Sequence, residues 1–392
     1  MIADAGSTPY GRPRSGSSDI VVLARRLDWV LMLAAAALVG YGLWAIGGIT
    51  RFDANTPDVF VIRQGIAAAI GVAGMLIAIV IPTSFYRTNW RIVYAGAIGL
   101  MLFTFVFAEA IRGSKRWIAV GPFQFQPSEF GKVAFILAIA GFLVDRQRTL
   151  GQFRTVFAAV GLGVVPMLLV FIQPDLGTAL VYAAALAAVL FVAGVRWLHV
   201  CLLLASTITL ALLVLWFLPA VGAPVLKPYQ VKRITSFAHP NSDPSGDTYN
   251  LSQSITAIGA GGVQGRGVRE ASQTRLDYLP EHATDFVFAS FAEQRGFFGA
   301  TILLLLYLLV VWRGLRVVTV AGDLYGAVVA GGLTFAFLFQ VFVNVGMTMG
   351  IAPVTGIPLP FVTVGGSSMI SNLVAIGILQ SIHARGVAPS RR

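Results

Sequence analysis

Asp285 stands where a long polar stretch meets an apolar segment of membrane length, at the end of the run Leu279-Pro-Glu-His-Ala-Thr-Asp-Phe286. A carboxylate at such a boundary suits proton abstraction from a substrate held at the membrane surface, because a general base must lie within hydrogen-bond reach of the proton it removes. His282, three residues earlier, reads as a solvated loop histidine.

Three other constellations carry polar chemistry. Gly113-Ser-Lys-Arg-Trp117 is followed by Gln126-Pro-Ser-Glu129 and Lys132. Pro127 and Ser128 predict a helix start, with Ser128 as cap and Glu129 at the positive end of the dipole. Lys132 follows Glu129 by three residues, so both share one helix face. An ion pair at membrane depth is costly unless it is buried in protein or in a wet cavity. The pair is either a salt bridge stitching helices together or, with Arg116, a cavity wall that attracts phosphate. Gln173-Pro-Asp-Leu-Gly-Thr178 is squeezed between two apolar segments: a tight turn with Asp175 as cap, or a turn whose Asp175 also lines a shared cavity. Pro353-Val-Thr-Gly-Ile-Pro-Leu-Pro360, then Gly365-Gly-Ser-Ser368, cannot continue a helix. Such a segment is tolerated at membrane depth only where it faces protein or water. It is expected to pack against the cavity from the far side, flanked by Asn344 and Asn372.

The elements that must position these groups are membrane spans. The 392 residues are 57% hydrophobic and 11% charged, against about 25% charged in soluble domains, and mean hydropathy is +0.80. Apolar stretches of about 20 residues, each enough to cross a hydrocarbon core, recur at 27–47, 61–81, 90–109, 128–144, 153–172, 176–195, 198–218, 286–312, 324–345 and 366–384. The expected fold is an all-α polytopic membrane protein of about ten transmembrane helices, with a long loop at 219–284 between spans 7 and 8. Residues 21–392 form one transmembrane domain and residues 1–20 a disordered tail. Arg25 and Arg26 lead directly into the first span, the pattern of an uncleaved segment.

Basic residues set the orientation. The net charge of +11 reads as span-flanking charge rather than a nucleic-acid surface. Fifteen of the 28 Lys and Arg fall on the tails and on the alternate loops that hold Arg87, Arg91, Arg146, Arg148, Arg154, Arg196, Arg313 and Arg316. The positive-inside rule therefore puts both termini in the cytoplasm and 219–284 outside. The glycine run 259–267 is neither a phosphate-binding loop nor a dinucleotide turn, lacking the following Gly-Lys-Ser/Thr and any strand–helix context. The Asp/Asn spacing at 241–247 lacks the terminal Glu of a calcium loop. The single cysteine, Cys201, forms no intrachain disulfide and no cysteine-based metal site.

In order and spacing, these motifs resemble the SEDS family (shape, elongation, division and sporulation), most closely its RodA branch. The matching residues are Arg116-Trp-Ile, Gln126-Pro-Ser-Glu129 with Lys132, Gln173-Pro-Asp-Leu-Gly177, Pro228-Tyr-Gln, Lys232-Arg233, Gln253-Ser254, Gly259 to Gly267, Leu279-Pro-Glu with Thr284-Asp-Phe286, and Thr355 to Phe361 with Gly365-Gly-Ser-Ser368. The family's usual Ser-Tyr before that last turn is replaced by Thr363 and Val364. The resemblance implies a peptidoglycan glycosyltransferase of the plasma membrane that polymerises undecaprenyl-linked lipid II, serving cell elongation and rod shape. Asp285 matches the family's essential aspartate, the general base of an inverting displacement. Arg116, Lys132, Lys232 and Arg233 are candidates for the diphosphate leaving group, and Glu129, Asp175, Gln253, Ser254, Ser367 and Ser368 for the substrate surroundings. A divalent cation, Mg2+ or Mn2+, is compatible with this chemistry, although the sequence shows no metal cage. Implied partners are a class B penicillin-binding protein, which supplies crosslinking, and other elongation-complex proteins. Two rival readings stand beside it: a flippase for lipid-linked precursors, and a scaffold that only activates a transpeptidase.

Overall fold

The computed structural model describes residues 24–52, 59–111, 114–121, 123–213 and 247–387. Each of the ten apolar segments overlaps a helix within the described residues. In chain order these are α1 Trp29–Ile49, α2 Val59–Val80, then, after the short α3 Thr83–Thr88, α4 Trp90–Phe107, α5 Pro127–Asp145, α6 Phe153–Ile172, α7 Leu176–Val192 and α8 Trp197–Leu212, and finally α12 Val287–Val320, α13 Leu324–Thr348 and α14 Gly366–Gly386. Seven are long and apolar enough to cross a membrane by length and composition alone. The others, α7, α8 and α14, are shorter or more polar. The chain is a multi-pass membrane protein, since lipid leaves backbone polar groups no partner except within helices.

Burial identifies the centre. α5 is almost wholly buried, whereas α2, α4 and α6 present most of their side chains outward, as lipid-facing spans do. Small residues set the closest approach. A Cβ at Gly71 would meet Leu373 and Ile370, and one at Gly377 would meet the backbone of Met75, so α2 and α14 pack backbone to backbone.

The expectation of purely helical structure misses one feature. Residues 109–125 form a small antiparallel sheet of β1 Glu109–Ile111, β2 Ser114–Val120 and β3 Phe123–Phe125. Its strands are too short to register as period-two alternation, but they pair the backbone that joins α4 to α5.

The described part of the long polar segment is largely helical: α9 Asp247–Gly261, α10 Gly267–Glu270 and α11 Ser272–Arg275. Ala257 and Leu279 pack with Phe286, Ala289 and Val354 in a separate small core. This covers the N-terminal end of α12 with apolar surface drawn from a stretch that looks polar in sequence. Residues 1–20 and 219–246 lie outside the described residues.

The glycine run has a packing reason. α12 is broken at Gly296, where φ is 63° and ψ −165°. The 262–266 turn takes up the backbone groups this frees: Arg266 N–H donates to the Glu293 carbonyl (2.9 Å) and Phe297 N–H to the Gly262 carbonyl (2.9 Å). A Cβ at Gly261, Gly265 or Gly296 would collide with the opposing backbone.

Candidate functional site

The four polar constellations meet at one end of the bundle. The link begins at the start of α5. Pro127 is the first helical residue and Gln126 the N-cap position. Ser128, expected as the cap, is instead the second helical residue, two positions past the N-cap, and its hydroxyl is buried without a hydrogen-bond partner among the described residues. Proline's fixed φ suits the first helical position, which moves the cap back to Gln126. The Gln126 N–H is met instead by Ser367 Oγ at 2.8 Å, and Ser367 donates on to the Gln124 carbonyl at 3.2 Å. Gln126 Nε2 reaches Asp175 Oδ2 at 3.0 Å.

Asp175 caps α7 as the turn predicts, accepting from the Thr178 N–H at 3.0 Å. Its other oxygen lies 3.5 Å from Arg116 Nη1. The Arg116 guanidinium stacks 4.1 Å above the Trp117 ring, and its side chain stays 25% exposed. Thus Arg116 is held, yet open enough to meet an anionic ligand. Both readings of Asp175 are satisfied together: it caps a helix and faces the shared polar end.

Glu129 and Lys132 pair at 3.0 Å, with side chains only 1% and 4% exposed. Lys132 also donates to Gln340 Oε1 (3.1 Å) on α13, and Glu129 accepts from Ser371 Oγ (3.2 Å) on α14. The pair therefore joins α5, α13 and α14, which is the salt-bridge reading. A cavity of about 20 Å³ beside Lys132 is lined by apolar residues with Gln340, Thr334 and Asn372. That is room for about one water, not for a lipid diphosphate.

Asp285, half-buried, lies in the turn just before α12. A Cβ built on Gly356 would stand 3.5 Å from Asp285 Oδ2, so the Pro/Gly segment passes directly beside the carboxylate. Gly356 has φ +71°, which a side chain would strain. The segment is embedded in protein, as its composition requires. It runs against α1 at Gly42, whose Cβ would collide with the Phe361 carbonyl, and against α7 at Gly177, where a Cβ would meet the Thr355 carbonyl at 2.6 Å. The Pro360 carbonyl takes a bond from Tyr307 Oη at 2.5 Å.

The remaining sequence candidates divide. Ser254 is fully buried and donates to the Thr348 carbonyl at 2.8 Å, tying α9 to α13. Ser368 is buried and bonded to Asn372 Nδ2. Gln253 is half-buried on α9. Lys232 and Arg233 lie outside the described residues. Among the described residues no group of three or more His, Cys, Asp or Glu gathers as a metal site, so no ligand set is assigned to a divalent cation. Sequence reasoning named Gln126 only as part of its motif, without the contacts it makes, and missed Gln64. Gln64 on α2 grips the turn after the Pro/Gly segment, donating to the Thr363 carbonyl (3.0 Å) and accepting from the Gly365 N–H (3.1 Å). A glutamine inside an apolar span, near its N-terminal end, was the available signal.

Fold and site together define a polytopic helical membrane protein with a polar, partly open site at one end of its bundle. The family model described as "Cell cycle protein", which spans the FtsW, RodA and SpoVE proteins, matches residues 26–386, and the chain belongs to that family, the SEDS proteins. It is 36% identical to stage V sporulation protein E of Bacillus subtilis over 356 residues, 90% of this chain and 94% of that one. It is likewise 36% identical to the peptidoglycan glycosyltransferase MrdB of Escherichia coli K12, over 91% of this chain and 93% of that one. Among solved structures, it matches a chain described under "Structural coordination of polymerization and crosslinking by a peptidoglycan synthase complex" with a TM-score of 0.77 at 28% identity, covering 93% of this chain and 99% of the other. Rod shape determining protein RodA of Thermus thermophilus matches with a TM-score of 0.68 at 27% identity, over 93% and 98%.

Proposed function

We propose that this chain is a peptidoglycan glycosyltransferase that joins lipid II units into glycan strands for cell elongation, with Asp285 as its general base. The carrying observation is the half-buried Asp285 carboxylate at the membrane-end junction, beside a glycine that leaves space next to it. Asp285 takes the proton of the acceptor sugar's 4-hydroxyl as that oxygen bonds to the donor's anomeric carbon. The bond from that carbon to the undecaprenyl diphosphate breaks on the opposite face, so the α-linked donor gives a β-linkage. Arg116, half-buried beside Trp117, meets the departing diphosphate, aided by Lys232 or Arg233. Lys132 serves this site by joining α5 and α13 rather than by touching phosphate.

The relatives' names favour this reading over a flippase. The basic-residue distribution supports ten spans in the plasma membrane, with both termini cytoplasmic and 219–284 outside. The likeness to a chain of a peptidoglycan synthase complex supports a class B penicillin-binding protein as partner.

The test is lipid II polymerisation by the purified protein with that partner, with moenomycin added to suppress contaminating synthases. Asp285→Ala is expected to lower the rate about a hundredfold to ten-thousandfold, the usual worth of a positioned base. Equal glycan ladders from both proteins would remove Asp285 from the chemistry. Lipid II translocation without ladders from either would revive the flippase.

A further inference from the structure

The backbone that carries Asp285 is fixed by an unusual set of donors. Asp285 precedes α12, whose first helical residue is Val287. Three successive carbonyls there, of Ala283, Thr284 and Asp285, are each taken by a donor from residues 344–364. Val364 N–H donates to Ala283 O at 3.2 Å, Thr363 Oγ1 to Thr284 O at 3.2 Å, and Asn344 Nδ2 to Asp285 O at 3.2 Å.

Each donor is itself anchored. Asn344 is fully buried, and its Nδ2 also donates to the Ile357 carbonyl at 2.8 Å. Facing two carbonyls, that end of the side chain must be the amide nitrogen. Asn344 thereby fixes Asp285 relative to the residue after Gly356. Thr363 Oγ1 accepts the Leu359 N–H at 2.8 Å while it donates to Thr284. Gln64 clamps both sides of Val364 from α2.

We infer that Asn344 and Thr363 are positioning residues, whose hydrogen bonds to the Thr284–Asp285 backbone aim the Asp285 carboxylate at the reacting hydroxyl. The inference rests on the reading of Asp285 as base. The part of Thr363 that bonds is its hydroxyl, whereas Val364 bonds through its backbone N–H.

The experiment uses the full-length protein with its partner and measures kcat and KM for lipid II. Thr363→Val removes the hydroxyl at nearly constant shape, Thr363→Ser keeps it, and Asn344→Leu removes both amide bonds. A displaced base costs turnover rather than substrate binding, and a shift of about 1 Å costs up to roughly a hundredfold. The expected result is a kcat lowered about 10- to 100-fold in Thr363→Val and Asn344→Leu, with KM within about twofold of wild type. Thr363→Ser is expected to restore most of the rate. In an Asp285→Glu background, whose carboxylate is already displaced, Thr363→Val is expected to cost less than in wild type. Should Asn344→Leu lose its native melting transition, the Thr363 pair decides alone. Wild-type kcat in Thr363→Val, alongside an inactive Asp285→Ala, overturns the positioning role and leaves the base standing. Full activity in Asp285→Ala overturns the base and this inference with it.

Discussion

Glu293 offers a direct test of how the 272–275 turn is fastened to the spans. The residue is fully buried, three positions before the Gly296 kink. Its carboxyl group accepts from the Gln273 N–H (2.9 Å), the Thr274 N–H (3.0 Å) and Thr274 Oγ1 (2.7 Å). It therefore holds α11 onto α12. Glu293→Gln replaces one oxygen with an NH2 group that must face a donor. In either orientation one backbone N–H bond becomes a donor–donor contact, because the Thr274 hydroxyl can rotate to accept from an amide on its side. That loss, at roughly 1.5–3 kcal/mol for a bond to a charged acceptor, raises local opening of 272–275 about 10- to 150-fold. Hydrogen exchange of the Gln273 and Thr274 amides, read on peptides covering 271–279, measures that opening. Trypsin cleavage at the exposed Arg275 should accelerate in step. The global melt should move little, because the lost bonds serve a peripheral turn. Wild-type protection of these two amides in Glu293→Gln would refute the clamp.

Two further substitutions probe the frame around the site. Asp28 caps α1 and pairs with Arg313 at 2.6 and 2.8 Å, both side chains nearly buried. Asp28→Ala strands the guanidinium and should cost about 3–5 kcal/mol, read as a lowered melting temperature in detergent, whereas an unchanged melt would contradict it. Gly42→Ala should drive the Phe361 carbonyl and the Pro/Gly segment off Asp285, costing about 1–3 kcal/mol by overpacking and lowering polymerisation. Gly40→Ala, two residues away with open space around it, is the control expected to match wild type.

The sequence by itself determined the class of fold and pointed to polar groups that the structure gathers at one end of the bundle. Span-length apolar runs leave helices as the economical solution in lipid, and Pro and Gly at 353–365 forbid a helix there. Asp175 as a cap and Glu129 with Lys132 as a pair follow from spacing of three residues, which is local geometry. Only the tertiary structure decided which of these groups are engaged with one another. Lys132 is spent on Gln340, 208 positions away, and Ser254 on Thr348, 94 positions away, so neither commitment could be read from neighbours in the chain. The glycines at 261, 265 and 296 look like a flexible loop until the kink of α12 is brought against them. The backbone at Asp285 follows the same pattern: only folding brings Asn344, Thr363 and Val364 to the three successive carbonyls that end at Asp285.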